Sequence, residues 1–394
     1  MLPKKDLFHL PEGVIYLDGN SLGPLPKAVS ARVSDAITAE WGGQLIRGWN
    51  GAGWMAQPSR VGDRVGRLIG APAGSVVMGD TLSIKVYQAL AAALRMRPER
   101  KVVLSDNGNF PTDLYMAEGL LETLKHGHEL KIVDPEAVEA AIGDDVAVVM
   151  LTQVDYRTGR LHDMEKITRA AHAAGAVMIW DLAHSAGALP VDIAASHCEF
   201  AVGCTYKYLN GGPGAPAFIY VRNDLSDTVE PALAGWLGHR APFEFDLTYH
   251  PAPGIERMRV GTPPVLQMTA LEAALDAWDD VDMHDLRKAS LALQERFIAG
   301  VEQVAPDLEL VSPREPSERG SQVSFAHPEG YAAMQALIAR GVIGDFRAPN
   351  VMRFGFTPLY LDEGDIDAAV AHIKVVMSEK LYEQPQYQTR NRVT

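Results

Sequence analysis

The stretch VMIWDLAHSAGALPVDIAASHCEFAVGCTYK, residues 177–207, decides the fold. Two continuous apolar runs, residues 176–180 and 200–204, have the length of strands that are buried on both faces of a parallel sheet. The first run ends in Asp181, and the second leads into Lys207. Ligands of open α/β sheets bind outside the carboxyl ends of the strands, so we expect a carboxylate and an amine in one crevice.

A carboxylate and a lysine in this arrangement are typical of pyridoxal phosphate (PLP) enzymes. A lysine forms a Schiff base with the aldehyde of the cofactor, and a carboxylate keeps the pyridine nitrogen protonated so that the ring withdraws electrons. Taken alone, Asp181 is as well explained as a helix cap, and Lys207 as a solvated lysine at a strand end. His184, one turn after the aspartate, and Tyr206, beside the lysine, favour the cofactor.

The composition predicts a soluble globular protein. The chain has 394 residues, of which 47% are apolar and 22% charged, and this length allows two or three domains. The formal charge of −14 argues against nucleic acid or an anionic membrane as a partner, and an anionic cofactor therefore needs local donors. Cys198 and Cys204 are too few cysteines for a disulfide framework or a paired-cysteine zinc site. Without a signal-peptide or membrane-span pattern, we expect a cytoplasmic protein with no metal.

Two strand-to-helix turns in the first half are candidate ligand sites. The first, at residues 80–83, offers the free N–H groups of a helix start to an anion, although an ordinary cap by Asp80 or Thr81 explains it equally well. The second, at residues 109–113, places Phe110 where it can lie against a ring and Asp113 where it can bind a polar group. A phenylalanine at a strand end is more often part of the core.

Residues 41–54 carry three of the six tryptophans among five glycines. This composition predicts a binding loop on which a flat ligand stacks, or a surface that covers another subunit or domain. The residues before it predict a helix whose apolar face contains Val29, Val33, Ile37 and Trp41.

A smaller domain is predicted after residue 264, with a long helix at residues 283–304 followed by alternating strands and helices. Its candidate site residue is Arg353, because a guanidinium fork suits the carboxylate of an amino-acid substrate. Without knowledge of the fold, a surface arginine on a strand is the better explanation. The polar tail from residue 383 is predicted to be disordered.

Separated motifs across nearly the whole chain resemble kynureninase, a PLP-dependent hydrolase of fold type I. They are YLDGNSLG (16–23), WGGQLIRGWN (41–50), FPTD (110–113), DLAHS (181–185), TYKYLNGGPG (205–214), GWLGH (235–239), RVGTPP (259–264) and NVMRFGFTPLY (350–360). The resemblance implies an α/β fold with a large domain, built on a mostly parallel seven-stranded sheet covered by helices, and a smaller α+β C-terminal domain.

The resemblance also implies a domain organisation and a homodimer with shared active sites. Residues 1–50 would be an N-terminal segment and helix that pack on the C-terminal domain or the dimer partner. Residues 51–264 would bind PLP, residues 265–382 would form the small domain, and residues 383–394 the tail.

The family's site residues transfer to matching positions here. The cofactor set comprises Leu82 and Ser83 at the phosphate, Phe110 stacked on the ring, Asp113, Asp181 at the ring nitrogen, His184 at the ring oxygen, Tyr206 near the phosphate, Lys207 as the Schiff-base lysine, and Trp236 and Thr262 from the neighbouring subunit. The substrate set is Trp49 and Thr262 at the aromatic ring and Arg353 at the carboxylate. Tyr206 is the expected proton donor, and Asp181, Tyr206 and Lys207 form the catalytic set. Lys85 and Tyr156 remain unassigned.

The implied reaction is hydrolysis of L-kynurenine to anthranilate and L-alanine by Cβ–Cγ cleavage, a step of tryptophan catabolism in the kynurenine pathway, which can also feed NAD biosynthesis. The pair Trp49 and Thr262 resembles bacterial members, which prefer kynurenine to 3-hydroxykynurenine. Another fold type I enzyme, such as an aminotransferase or a cysteine desulfurase, is an alternative, but no cysteine follows Cys204 to serve a desulfurase. A non-catalytic PLP-binding protein is a second alternative, which intact Lys207, Asp181 and Arg353 disfavour.

Overall fold

A seven-stranded sheet lies at the centre of the structure, a computed structural model that describes residues 2–389. The end of the predicted polar tail, residues 390–394, lies outside the described residues. In chain order the strands are β1 (Phe8–His9), β2 (Ile15–Tyr16), β3 (Leu25–Pro26), β4 (Val76–Met78), β5 (Val102–Asp106), β6 (Glu129–Val133), β7 (Val146–Thr152), β8 (Val177–Asp181), β9 (Phe200–Gly203), β10 (Phe218–Val221), β11 (Glu309–Leu310), β12 (Gln322–Ala326), β13 (Val342–Ile343), β14 (Asp345–Arg347) and β15 (Val351–Gly355).

The α-helices follow the strands closely, as the sequence pattern predicts. They are α1 (Lys27–Asp35), α2 (Gly48–Gly51), α3 (Gln57–Leu68), α4 (Leu82–Arg95), α5 (Pro111–Leu124), α6 (Val138–Ala141), α7 (Met164–Ala173), α8 (Ile193–Ser196), α9 (Val265–Ala274), α10 (Met283–Val304), α11 (Gly330–Ile338), α12 (Glu363–Ser378) and α13 (Pro385–Gln388). The short α13 lies in the tail that was predicted to be disordered, so that prediction is wrong for this part of the tail.

The large sheet has the strand order β4-β10-β9-β8-β7-β5-β6. Strand β10 is antiparallel to both of its neighbours, and the remaining pairs are parallel. Along β8, Val177 and Ile179 pack into the core on one face of the sheet, while Met178 and Trp180 pack into the core on the other. A strand that is buried on both faces has no polar alternation, which explains the continuous apolar runs in the sequence. The predicted mostly parallel sheet of seven strands is confirmed.

A second, antiparallel sheet has the order β11-β12-β15-β14. The N-terminal segment reaches this half of the chain, because β2 pairs with β13 in parallel, with Ile15 opposite Val342. Helix α9, predicted to open the small domain, lies beside α3, and Arg60 of α3 forms an ion pair with Glu272 of α9 at 2.6 Å. The domain boundary at residue 264 stays a prediction.

Residues 41–51 are helical, so the prediction of a glycine-rich loop is wrong for them. A π-helical turn (Ala36–Gly42), a 3-10 turn (Leu45–Arg47) and α2 follow one another. The Trp54 indole donates to the Glu40 carboxylate at 2.9 Å, and a Cβ built on Gly48 would lie 2.5 Å from the Trp54 ring. The glycine therefore permits a close helix-to-ring approach that a larger residue would block.

The predicted apolar face of the first helix is only partly buried. Val29 lies in the core, whereas the Ile37 and Trp41 side chains are 42% and 57% exposed. Within residues 2–389, none of the helices combines the length and apolar character that crossing a bilayer requires.

Candidate active site

Asp181, His184 and Lys207 come together at the carboxyl ends of β8 and β9. The two strands are parallel neighbours, so the residues that follow them lie at the same edge of the sheet. Asp181 is the last residue of β8 and is buried, and His184 lies in the turn that follows it. The half-buried Lys207 follows β9, and its Nζ lies 2.9 Å from Nε2 of His184. The sequence prediction that an acid and an amine would share this edge is confirmed.

The His184 imidazole is neutral. Burial lowers its pKa well below the usual value, and the positive charges of Lys207, Arg353 and Arg347 lower it further. A lysine ammonium only donates hydrogen bonds, so Nε2 accepts from Lys207 and Nδ1 carries the proton. That Nδ1 atom is buried and has no hydrogen-bond partner among the described residues. The Nδ1–H group is therefore free to donate a hydrogen bond to a ligand atom.

Asp181 and Asp113 form a buried pair of carboxyl groups. Burial raises the pKa of Asp181 to about 6, against the opposing effects of Lys207 and the Ala183 N–H, which donates to Oδ1 at 2.8 Å. Burial, together with the negative charge of Asp181, raises the pKa of Asp113 well above its usual range. At neutral pH, therefore, Asp181 is the ionised member and Asp113 the protonated one. A side-chain hydrogen bond joins the two groups, in which the protonated Asp113 donates to Asp181.

Two aromatic rings flank the lysine. The Nζ atom of Lys207 lies 5.9 Å from the ring centroid of Phe110 and 5.8 Å from that of Tyr206. The Phe110 ring is 42% exposed, so it is not part of the core and presents a face to the site. The neighbouring Cys204, followed by burial, raises the pKa of Tyr206, which keeps its hydroxyl protonated and able to donate.

The turn between β4 and α4 has the backbone of an anion site. Gly79 and Asp80 have positive φ angles of 151° and 57°, and Thr81 is the extended cap residue of α4. The Thr81 side chain makes no capping hydrogen bond, so the first N–H groups of the helix, beginning at Leu82 and Ser83, remain available. The alternative of an ordinary side-chain cap is therefore wrong for Thr81.

Arg353 is buried and almost fully paired. Its Nε donates to Asp345 Oδ1 at 2.6 Å, Nη2 contacts Asp345 Oδ2 and the Ser21 hydroxyl, and Nη1 donates to the Tyr156 carbonyl. Burial alone would raise the pKa of Asp345, but the hydrogen bonds and charge of Arg353 lower it below its usual value. The side of the guanidinium fork that suits a carboxylate thus already holds Asp345.

The site also contains Ser21 and Asp345, which the sequence did not single out, and Tyr156, which it left unassigned. The ring of Tyr156 packs edge-on against Phe110 with centroids 5.1 Å apart, while its carbonyl accepts from Arg353. Tyr156 therefore contacts both Arg353 and Phe110, the ring that lies beside Lys207. The YLDGNSLG motif makes a second connection, since Ser21 contacts Arg353 and the Gly23 N–H donates to the Tyr206 carbonyl at 2.8 Å. The motif itself was the available signal for Ser21.

The three remaining predicted residues lie toward the surface of the single chain. Trp49 is half-buried in α2 and packs edge-on against Trp54 at 5.7 Å. The Trp236 side chain is 43% exposed, and Thr262 is exposed. Their roles at the cofactor and substrate stay predictions.

The residues present fit a PLP molecule. A neutral His184 with a free Nδ1–H suits the ring oxygen, an ionised Asp181 suits the protonated ring nitrogen, and Phe110 offers a flat face. The helix start at Leu82 suits a phosphate. The unpartnered buried Nδ1 atom of His184 would be costly without such a ligand.

Solved structures share this fold. The apo cysteine desulfurase from Thermococcus onnurineus NA1 matches with a TM-score of 0.81 over 96% of this chain and 99% of that chain, at 19% sequence identity. A C-DES variant with glycine covalently linked to its PLP cofactor matches with a TM-score of 0.81 over 94% and 99% of the two chains, at 18% identity. The predicted fold type is confirmed.

Comparison with proteins of similar sequence identifies the family. The profile described as "Kynureninase C-terminal domain" matches residues 286–373. The kynureninase of Pseudomonas fluorescens is 51% identical over 401 aligned residues, which cover 100% of this chain and 96% of that protein. The kynureninase of Burkholderia pseudomallei (strain 1106a) is 50% identical with the same coverage. At this identity over the full length, the chain belongs to the kynureninase family.

Proposed function

We propose that the cluster around Lys207 holds PLP and carries out the family reaction, the hydrolysis of L-kynurenine to anthranilate and L-alanine. The activity and the cofactor belong to the family, and the roles of individual residues are the proposal. The observation that carries it is the contact of Lys207 Nζ with a neutral His184, beside the Asp181–Asp113 pair. This arrangement provides an amine for a carbonyl cofactor and one ionised carboxylate for a ring nitrogen.

When it is bound, PLP supplies an electron sink for the bonds of the substrate α-carbon. Lys207 would be the amine that holds the cofactor, and its free form would move a proton at that carbon. Asp181 holds the ring nitrogen protonated, and His184 donates from Nδ1 to the ring oxygen. Tyr206, whose raised pKa keeps it protonated, is the proposed proton donor to the substrate. Such proton transfers each contribute roughly 10²–10⁴-fold in rate.

Arg353 is the proposed receptor of the substrate carboxylate. It lies close enough for its charge to lower the pKa of His184, and Tyr156 joins it to Phe110. Trp49 and Thr262 are proposed to face the substrate ring and to favour kynurenine over 3-hydroxykynurenine. The ratio of kcat/KM for the two substrates tests this preference, and a ratio of one or below contradicts it.

We also propose that the protein is a cytoplasmic homodimer whose sites are shared. Two surface groups support this assembly, because large apolar side chains are exposed together in each. The first consists of Ile37, Trp41, Leu45 and Ile46, and the second of Trp236, Phe243, Phe245 and Leu247. Exposed apolar clusters of this kind mark protein interfaces. The second group includes Trp236, one of the residues proposed to reach a neighbouring site.

Absorbance and fluorescence in one cuvette test the proposed function. The purified protein with PLP should show a visible absorbance band, and L-kynurenine should give growing anthranilate fluorescence. The Lys207→Ala variant should lose both the lysine-dependent band and the product. A band without product from the native protein would reject kynurenine hydrolysis and would favour another activity of this fold.

Subunit mixing tests the shared sites. Lys207→Ala chains and Trp236→Ala chains are each expected to be nearly inactive. If the sites are shared, refolding them together produces hybrid dimers with one intact site, and activity returns. If each chain completes its own site, the mixture stays as inactive as its components.

A further inference from the structure

Lys85 is a buried cation that the family resemblance leaves without a role. It lies near the start of α4, and its side chain is 0% exposed. Its three ammonium protons have three acceptors, namely Gln88 Oε1 at 2.9 Å, Asp80 Oδ2 at 3.3 Å and the Met258 carbonyl at 3.3 Å. The geometry is therefore that of a fully hydrogen-bonded charged lysine.

This position is unfavourable for a cation on two counts. Burial lowers the pKa of Lys85, because the charged form loses its hydration, and only the nearby Asp80 carboxylate opposes this effect. The positive end of the helix dipole adds repulsion in the first turns of α4. An apolar side chain of similar length would fill the same space without either cost. Asp80 offsets the charge only in part, because its oxygen lies 3.3 Å away and its side chain is 35% exposed, so a second anion nearby would stabilise the ammonium further.

The ammonium lies directly behind the turn that precedes α4. A Cβ built on Gly79 would lie 3.8 Å from Lys85 Nζ, and Asp80 in the same turn has a φ of 57°. On its other side, Lys85 holds the Met258 carbonyl, shortly before Thr262. The segment that carries Trp236 is hydrogen-bonded to the same region, since the Leu237 N–H donates to the Val260 carbonyl at 3.2 Å.

We propose that Lys85 is the buried countercharge of the cofactor phosphate and a positioning residue for the turn that binds it. This inference rests on the proposed placement of the phosphate at Leu82 and Ser83. Through the Met258 carbonyl, the same ammonium fixes the turn relative to the segment that carries Thr262. A chain with a net charge of −14 needs local positive charge of this kind to retain an anionic cofactor.

Binding of PLP and of pyridoxal, which lacks the phosphate, separates this role from a merely structural one. In absorbance titrations of the full-length protein freed of cofactor, Lys85→Met should weaken PLP binding about tenfold and leave pyridoxal binding unchanged. Equal weakening of both ligands, or no change for PLP, would overturn the proposal.

A second variant has the opposite expected sign. Asp80→Asn removes the carboxylate that offsets Lys85, and asparagine accepts the positive φ of this position. It should tighten PLP binding several-fold without affecting pyridoxal. Weaker or unchanged PLP binding would overturn the proposal even if Lys85→Met does not fold.

Leu82→Pro distinguishes failure of the inference from failure of the phosphate placement, because proline at the first position of α4 removes a proposed N–H donor and is compatible with the helix. If Leu82→Pro keeps the native preference for PLP over pyridoxal, the phosphate lies elsewhere and both proposals fall. If Leu82→Pro reduces the preference while Lys85→Met keeps it, the phosphate site stands and only the role of Lys85 is rejected.

Discussion

Two groups of buried charge border the site, and they differ in how their polar atoms are paired. Around Lys207, His184 Nδ1 lacks a partner within residues 2–389, and Asp113 is hydrogen-bonded to Asp181. Around Arg353, four of the five guanidinium N–H groups are used by Asp345, Ser21 and Tyr156. The group around Lys207 can still form hydrogen bonds with a small polar molecule, whereas the group around Arg353 is already paired with other residues of the protein. A cofactor can therefore bind to the first without rearrangement, but a substrate carboxylate must compete with Asp345 or share Arg353 with it.

The largest expected effect concerns the unpaired group. Asp181→Asn removes the ionised carboxylate that keeps the ring nitrogen protonated, so kcat should fall roughly 10²–10⁴-fold. Asp113→Asn is the matched control, because the raised pKa of Asp113 makes it a neutral acid that a neutral amide replaces. Its kcat should fall less than tenfold. Steady-state assays at pH 8 measure both, and equal losses would mean that the ionised and protonated members have been assigned wrongly.

The paired group predicts a large effect on stability. Arg353→Gln removes the buried partner of Asp345 and leaves it only the half-buried Arg347 at 2.8 Å, which should cost about 3 kcal/mol in the free energy of unfolding. Asp345→Asn combined with Arg353→Gln removes both charges and should recover much of that loss. Denaturant unfolding of the native protein and of both variants measures the difference.

Kinetics then separate the structural role of Arg353 from its binding role. The double variant should remain defective in KM for kynurenine, although its stability is restored. A native KM in that variant would show that Arg353 only stabilises the fold and that the substrate carboxylate binds elsewhere.

The same contrast explains how far the sequence could predict the site. Asp181, His184 and Lys207 follow strands whose apolar runs are visible in the sequence, and parallel strands bring their ends together whatever the details of packing. Asp345 pairs with Arg353 because β14 and β15 place the two residues directly opposite each other. That register depends on the turn that joins β14 to β15, and the apolar pattern of the sequence does not reveal such a turn.

Two further features were beyond sequence reasoning for physical reasons. Tyr156 binds Arg353 through its backbone carbonyl, and a backbone atom leaves no side-chain signal. The helical turns at residues 41–51 contradict glycine propensity, because packing of the Trp54 ring against Gly48 overrides it. Long elements with one clear period, such as α10, were predicted with the observed bounds.

The smallest expected effect is a pH dependence at the edge of the paired group. Burial, followed by the negative charge of Asp345, raises the pKa of Asp18 to about 7, above an ordinary value of 3.8. Since the folded state favours the protonated form, this contribution to stability is fully present below about pH 4 and is lost as the pH rises through 7. Asp18→Asn stays neutral, so its stability relative to the native protein should increase between pH 5 and pH 8. Thermal unfolding at the two pH values measures the change. A constant difference would mean that Asp18 is ionised throughout, and that the paired group already tolerates a second negative charge beside Asp345.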